Sequence, residues 1–215
     1  MKIAVIGATG FVGSQITNEL VTRNLDVVGI SRREQPSDKS NLQYAKVDVN
    51  DVNALTEVLK GTDVVVNAFS PVADNPNLME DFMNGSKAIQ QAVKNAGVNR
   101  FIIVGGGGSL LNENGEQVID TLPQDLPFIP KAKATRAYFE VIKEENELDW
   151  AYFSPALEMN SSITIGKTGQ YRLGTDYPVM NEEGRNILSV EDVAVVIADE
   201  IENPKHHQVR FTAGY

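Results

Sequence analysis

The chain has 215 residues, against a usual span of about 100–200 per domain, so it holds one large domain with a real core and little beyond it. Hydrophobic residues make up 42% and charged residues 22%, ordinary globular usage that excludes disorder, and the absence of cysteine removes disulfides, thiolate metal sites and a cysteine nucleophile. Nineteen basic against 29 acidic residues leave a net charge of −10, a field that repels nucleic acid and anionic membranes, although a local arginine cluster still accommodates a small anion at short range.

The opening apolar run at 3–6 is too short for a signal peptide, and no stretch approaches the roughly 18 apolar residues that cross a bilayer, so a cytoplasmic protein is expected. From there to Trp150, short β-branched or aromatic runs alternate with helical patterns. Buried strands are expected at 3–6, 27–30, 44–49, 64–66, 101–104 and 150–153. A helix over 11–22 opens straight out of a glycine turn. Asp51 is placed to cap a helix through Leu55, Val58 and Leu59 that stops at Gly61. Leu78, Phe82, Ile89, Val93 and Ala96 recur at three-, four- and seven-residue steps and predict an amphipathic helix over 78–96. Ala137, Tyr138, Val141 and Ile142 give the next helix its face. After Pro155 the pattern loosens: 169–174 reads as a hairpin or loop, Ser189 caps a helix through Val193, Val196, Ile197 and Ile201, and 209–212 ends as a strand. This alternation predicts an α/β fold with a doubly wound, mostly parallel sheet, as one domain over 1–215 with a small substrate-side cap within 155–189.

The first turn reads Gly7-Ala8-Thr9-Gly10-Phe11-Val12-Gly13, directly between a strand and a helix. In that place Gly7 permits the tight turn, Gly10 lets backbone amides approach a pyrophosphate, and Gly13 allows close helix–sheet packing. The free amides of the helix start, at Phe11 and Val12, then face the anion, with the Thr9 hydroxyl as a further donor. A dinucleotide cofactor is the ligand this turn suits in its Rossmann setting. About 20 residues on, where an acid would hold the ribose hydroxyl of NAD, the chain supplies Arg32 and Arg33. Two guanidiniums favour a 2′-phosphate, hence NADP; the plainer reading is a pair of solvated loop charges partly neutralised by Glu34. Asp48 and Val49 end the third strand, where they meet the adenine or, for Asp48, cap the next helix.

These residues resemble the atypical short-chain dehydrogenase/reductases, in particular their NADH-flavin reductase branch, related to biliverdin-IXβ reductase and to NmrA-like proteins. The resemblance spans the chain. It rests on the glycine turn, on Leu148-Asp149-Trp150 running to Ser154-Pro155-Ala156, on Gly169-Gln170-Tyr171-Arg172-Leu173-Gly174, on Ser189-Val190-Glu191-Asp192-Val193-Ala194, and on Arg210-Phe211-Thr212-Ala213-Gly214-Tyr215. It implies an NADP-binding Rossmann domain and hydride transfer to a flavin or similar small-molecule acceptor. It also implies a serine beside the nicotinamide near Ser109, a polar active-site residue near Lys133, and Pro155 shaping the nicotinamide wall.

The wider superfamily reduces carbonyls with a Tyr-x-x-x-Lys pair. The residues four after Tyr44, Tyr138, Tyr152, Tyr171 and Tyr177 are Asp48, Ile142, Ala156, Thr175 and Asn181, so no tyrosine has its lysine, and Tyr138 reads as core. A flat conjugated acceptor such as FMN or another flavin needs less from a protein acid, which leaves positioning as most of the catalysis. The fifth strand empties into Gly105-Gly106-Gly107-Gly108-Ser109, read either as room for stacked rings or as a flexible loop. Ala68, Phe69 and Ser70 end the fourth strand at the face where open α/β sheets bind ligands. His206 and His207 are adjacent, lack spaced acidic partners and read as a surface turn, so no metal is expected. The leading expectation is an NADPH-dependent reductase whose partner is a small acceptor and, beyond that, at most a second copy of itself. The alternative is an NmrA-like NADP-binding sensor without turnover; a sugar-nucleotide epimerase would need the missing tyrosine–lysine pair.

Overall fold

A computed structural model describes residues 1–72 and 74–215. Eight strands form one sheet: β1 (Lys2–Ile6), β2 (Asp26–Ser31), β3 (Leu42–Lys46), β4 (Val64–Asn67), β5 (Arg100–Val104), β6 (Asp149–Ser154), β7 (Arg172–Gly174) and β8 (Val209–Gly214). Their order is β3-β2-β1-β4-β5-β6-β8-β7, and every pairing is parallel except the last, where Arg172 lies opposite Gly214. Order therefore reverses between β1 and β4, which opens a crevice at the carboxyl ends of those two strands.

The sheet is apolar on both faces because helices cover both. On one side lie α2 (Val52–Leu59), α3 (Leu78–Asn95) and α5 (Ile129–Ile142). There Leu55, Leu59, Phe82, Ile89, Val93, Tyr138 and Ile142 pack against Ile6, Ile30, Phe101 and Tyr152. On the other lie α1 (Phe11–Thr22) and α6 (Val190–Glu202), where Ile16, Leu20, Val193 and Ile197 meet Val5, Ile102, Phe153 and Phe211. Each fully buried Leu, Ile or Phe contributes about 1.5–3 kcal/mol, so this two-sided burial is the main force holding the sheet. A short helix, α4 (Val118–Thr121), and a 3-10 turn at Gly107–Ser109 interrupt the connection between β5 and α5.

The caps follow the sequence. Asp51 accepts the Ala54 amide at 3.0 Å, and Gly61 takes a φ of +74° beyond the end of α2. Ser189 accepts the Asp192 amide at 3.1 Å to start α6. The third strand departs from its expected span: it begins at Leu42 and ends at Lys46, because β2, its partner, runs out at Ser31 opposite Lys46. Val47 and Val49 stay buried in the connector and so imitate strand alternation, while exposed Gln43 and Lys46 mark an edge strand rather than a buried one. The segment 169–174 also resolves: its last three residues form β7 and pair with β8. His206 is no surface turn. Its ring stacks on Phe211 at 4.2 Å and its Nδ1 meets Glu200 at 2.7 Å. Among the described residues no helix is long and apolar enough to cross a membrane.

Candidate functional site

The glycine turn sits at the strand-order reversal. Gly7 holds φ +78°, and a Cβ there would lie 2.6 Å from the Ala68 carbonyl oxygen; a Cβ on Gly13 would lie 2.1 Å from the Gly7 oxygen. Both neighbours are backbone and cannot move aside, so only glycine lets the turn close this tightly. Gly10 donates back to Gly7 at 2.9 Å and sits in extended geometry as the N-cap of α1, with no side chain capping the helix. The amides of Phe11 and Val12 consequently have no acceptor among the described residues, and they point out of a helix start that favours negative charge. Thr9, Gly10 and Phe11 are all exposed there.

Beside this turn opens a cleft of about 710 Å³ lined by Thr9, Arg32, Arg33 and Gln35. The chain has eight arginines. Arg23, Arg100, Arg136, Arg185 and Arg210 are in ion pairs, and Arg172 donates to the carbonyls of Met180 and Tyr215. Only the Arg32 and Arg33 side chains hold no partner among the described residues, Glu34 included. In a chain of net charge −10 that is an unspent pair of cations facing a cleft. The loop is fixed where it leaves the sheet, since buried Ser31 donates its hydroxyl to the Arg33 carbonyl at 2.6 Å. Gln35 is the lining residue that composition and motif did not single out; its position two beyond Arg33 is its only sequence signal.

Asp48 is exposed, and its Oδ1 accepts from the amide and side chain of Asn50 at 2.9 and 3.1 Å, forming a turn that leads to Asp51, the true cap of α2. Val49 is 6% exposed and belongs to the core under Gly85. Ala68 backs directly onto Gly7. The Phe69 amide is held by Asn67 Oδ1 at 3.0 Å, and its half-buried ring stacks on Phe82 at 6.2 Å. Ser70 is exposed, and among the described residues its hydroxyl bonds only to the Pro71 carbonyl.

At the end of β5 the structure corrects the reading of the glycine run. A Cβ on Gly105 would lie 2.1 Å from the Tyr152 ring, one on Gly106 2.4 Å from Thr135 Oγ1, and one on Gly107 2.5 Å from the Pro155 carbonyl oxygen. The missing side chains make way for protein, neither for a stacked ring nor for flexibility. Tyr152 donates to the Thr135 carbonyl at 2.8 Å, and burial pushes its phenol well above the usual tyrosine range. Buried Pro155 thus braces Gly107 from the end of β6. Ser109 is 2% exposed, and Arg210 donates to its carbonyl at 2.6 Å and to its hydroxyl at 3.3 Å. Its hydroxyl is turned into the protein by that clamp and presents nothing to a ligand. Arg210 in turn holds Asp176, tying β8 to the loop after β7.

Lys133 is half-buried. It lies on the side of α5 that carries Arg136, which pairs with Asp120 of α4 at 2.7 Å. Tyr138 is fully buried, its hydroxyl 3.2 Å from Gln90, so it is core as expected.

The NAD(P)H-binding family matches residues 7–204 of the chain. The Bacillus subtilis protein YwnB, itself uncharacterized, is 30% identical over 99% of this chain and 97% of its own length. Among solved structures, a Bacteroides thetaiotaomicron protein described as a "putative epimerase" is 39% identical, covering 100% of this chain and 96% of that one at a TM-score of 0.88. A Streptococcus pneumoniae protein described as a "putative NADH-flavin reductase" is 30% identical, covering 100% and 99% at a TM-score of 0.85.

Proposed function

The chain belongs to the NAD(P)H-binding family of atypical short-chain dehydrogenase/reductases, and from that premise we propose that it is an NADPH-dependent reductase of a flat conjugated acceptor, a flavin foremost. The observation that carries the cofactor choice is the pair of unpartnered guanidiniums, Arg32 and Arg33, lining one cleft with Thr9. A 2′-phosphate meets them by charge-assisted hydrogen bonds, while the Phe11 and Val12 amides and the Gly7–Gly13 cradle suit a pyrophosphate. The nicotinamide, when bound, supplies a hydride. The chain's part is to hold the two reactants face to face and keep water out.

Exposed apolar side chains support the choice of acceptor. Val72 after β4, Phe128 at the start of α5 and Leu157 after β6 are 58%, 52% and 40% exposed, on connections that all leave from the carboxyl edge. Such side chains suit a flat aromatic acceptor better than a sugar, and epimerase chemistry would in addition call for the tyrosine–lysine pair that this chain lacks. The test is anaerobic NADPH oxidation by the purified protein with and without FMN, riboflavin or a quinone, with NADH for comparison. Saturable, acceptor-dependent turnover preferring NADPH supports the reading. Tight NADPH binding without turnover on any acceptor moves the assignment to a redox sensor.

A further inference from the structure

The inward stripe of α5 contains a lysine. At about 100° per residue, Thr135, Tyr138 and Ile142 all lie within about 40° of the direction of Lys131. Those three residues are 4%, 0% and 0% exposed. Lys131, at the head of the same stripe, is exposed. Solvent therefore reaches this end of the stripe, and the topology identifies where it lies. Helix α5 starts at the carboxyl edge and runs back toward the start of β6, and Thr135 touches Gly106 at the end of β5. One turn before Thr135, Lys131 therefore lies toward the carboxyl edge of the sheet, the edge at which the crevice opens.

Lys131 is also unspent. Lys60, Lys94, Lys143 and Lys167 all reach carboxylates, whereas Lys131, like Lys133, has no side-chain partner among the described residues, so the face of α5 on which each lies is what separates the two. The nearby glycines bring no charge, and Thr135 directs its hydroxyl to the Ala132 carbonyl. Enclosure by the surrounding protein holds the Lys131 ammonium below the usual lysine value, which makes it a better acid than a solvated lysine.

We propose that Lys131, rather than Lys133 or a tyrosine, is the residue that meets the acceptor, its Nζ giving a proton to the heteroatom of the acceptor that becomes basic on reduction. The inference rests on the reductase reading. In the step, the acceptor gains a hydride and the reduced nicotinamide is oxidised. The Nζ–H bond breaks as an O–H or N–H bond forms on the acceptor, and the amine then takes a proton back from water. This places a proton donor at a position where the superfamily's tyrosine–lysine pair is missing.

Two measurements test it. The first needs no turnover: reductive methylation of the lysines with 13C-formaldehyde, with the Lys131 signal assigned by Lys131→Arg, followed by an NMR pH titration with and without NADP+. The Lys131 signal is expected to titrate below the other lysines and to move when NADP+ binds. The second is the pH profile of quinone reduction. The wild-type rate should fall as pH rises through the Nζ titration, and Lys131→Arg, which stays charged, should lose that basic limb. Lys131→Met should lower kcat about 100-fold, the low end for general acid catalysis, with the NADPH Kd unchanged. Wild-type turnover in Lys131→Met, the same loss appearing instead in Lys133→Met, or a Lys131 signal that titrates with the rest and ignores NADP+ would overturn the assignment alone. A wild-type protein that binds NADPH yet reduces no acceptor would overturn the reductase reading and the proton-donor role with it.

Discussion

Replacing Arg32 by Glu and Arg33 by Ser removes both unpartnered cations from the cleft that they line with Thr9 and Gln35. A hydrogen bond to a charged group is worth about 1.5–3 kcal/mol, and since both side chains are exposed, solvent screening argues for the lower end. Two contacts of about 1.5 kcal/mol sum to about 3 kcal/mol, or about a hundredfold in Kd at 1.4 kcal/mol per decade. NADH has no 2′-phosphate to lose, and a glutamate at this position accepts from the ribose hydroxyl. The double variant is therefore expected to bind NADPH about a hundredfold more weakly and NADH no worse than before, measured by fluorescence titration of each reduced cofactor. The wild-type preference should also shrink with added salt, because at 0.1 M ionic strength charges are screened over about 10 Å. A variant that keeps the wild-type preference for NADPH would refute the assignment of these arginines to a phosphate.

Three further outcomes follow from the packing. Gly13→Ala drives a Cβ to 2.1 Å from the Gly7 carbonyl oxygen, so NADP+ should cease to raise the melting temperature even where the apo protein still folds. Gly105→Ala collides with the Tyr152 ring and should cost about 1–3 kcal/mol, a loss of about 2–4 °C in Tm per kcal/mol, and much less in a Tyr152→Ala background, where the space is vacated. Asp192→Asn should loosen the segment before β7. Burial pushes the Asp192 carboxyl up, but hydrogen bonds from Thr168, Tyr215 and the Gly169 amide outweigh it and hold the group below the usual aspartate value. A carboxylate lowered in the folded state stabilises at pH above its unfolded value and loses that contribution as pH falls through the folded one. Acid unfolding of the wild type below about pH 4 should thus be less steep in Asp192→Asn, and trypsin should cut the variant faster at Lys167, as measured by limited proteolysis.

Much of the fold could be read because its signals are local. Asp51 and Ser189 cap helices by their own side chains, and the glycine turn is specified by residues within one turn of one another. The third strand departs from its expected span because its limits are set by β2, about fifteen residues away in sequence, and because Val47 and Val49 reach the core from a connector. The short strand β7 exists only through its pairing with β8, at the far end of the chain. Arg210 is a similar case: that it clamps Ser109 is a fact about β8 meeting the end of β5, and no spacing within either segment announces it.

The site was legible in proportion to how much of it is backbone. Gly7, Gly10 and Gly13 act through the turn that they themselves make, whereas the glycines of 105–108 are empty for the sake of Tyr152, Thr135 and Pro155, and a sequence does not say on which side a missing Cβ would have pointed. The same ambiguity separates Lys131 from Lys133. Two lysines two residues apart lie about 200° apart on a helix, so they occupy opposite sides of it, but the phase of α5 is fixed only by its neighbours. Tyr138 and Ile142 at 0% exposure set that phase, and they put Lys131 on the sheet-facing stripe of the helix. A cation in that place is costly to keep without a partner, since enclosure disfavours its charged form and nothing in the protein repays the loss. Unpartnered arginines lining one cleft with Thr9, in a chain that carries ten more acids than bases, argue that the missing negative charge arrives with the ligand: the 2′-phosphate at the arginines and, on the proposal made for Lys131, the charge that develops on the acceptor as it is reduced.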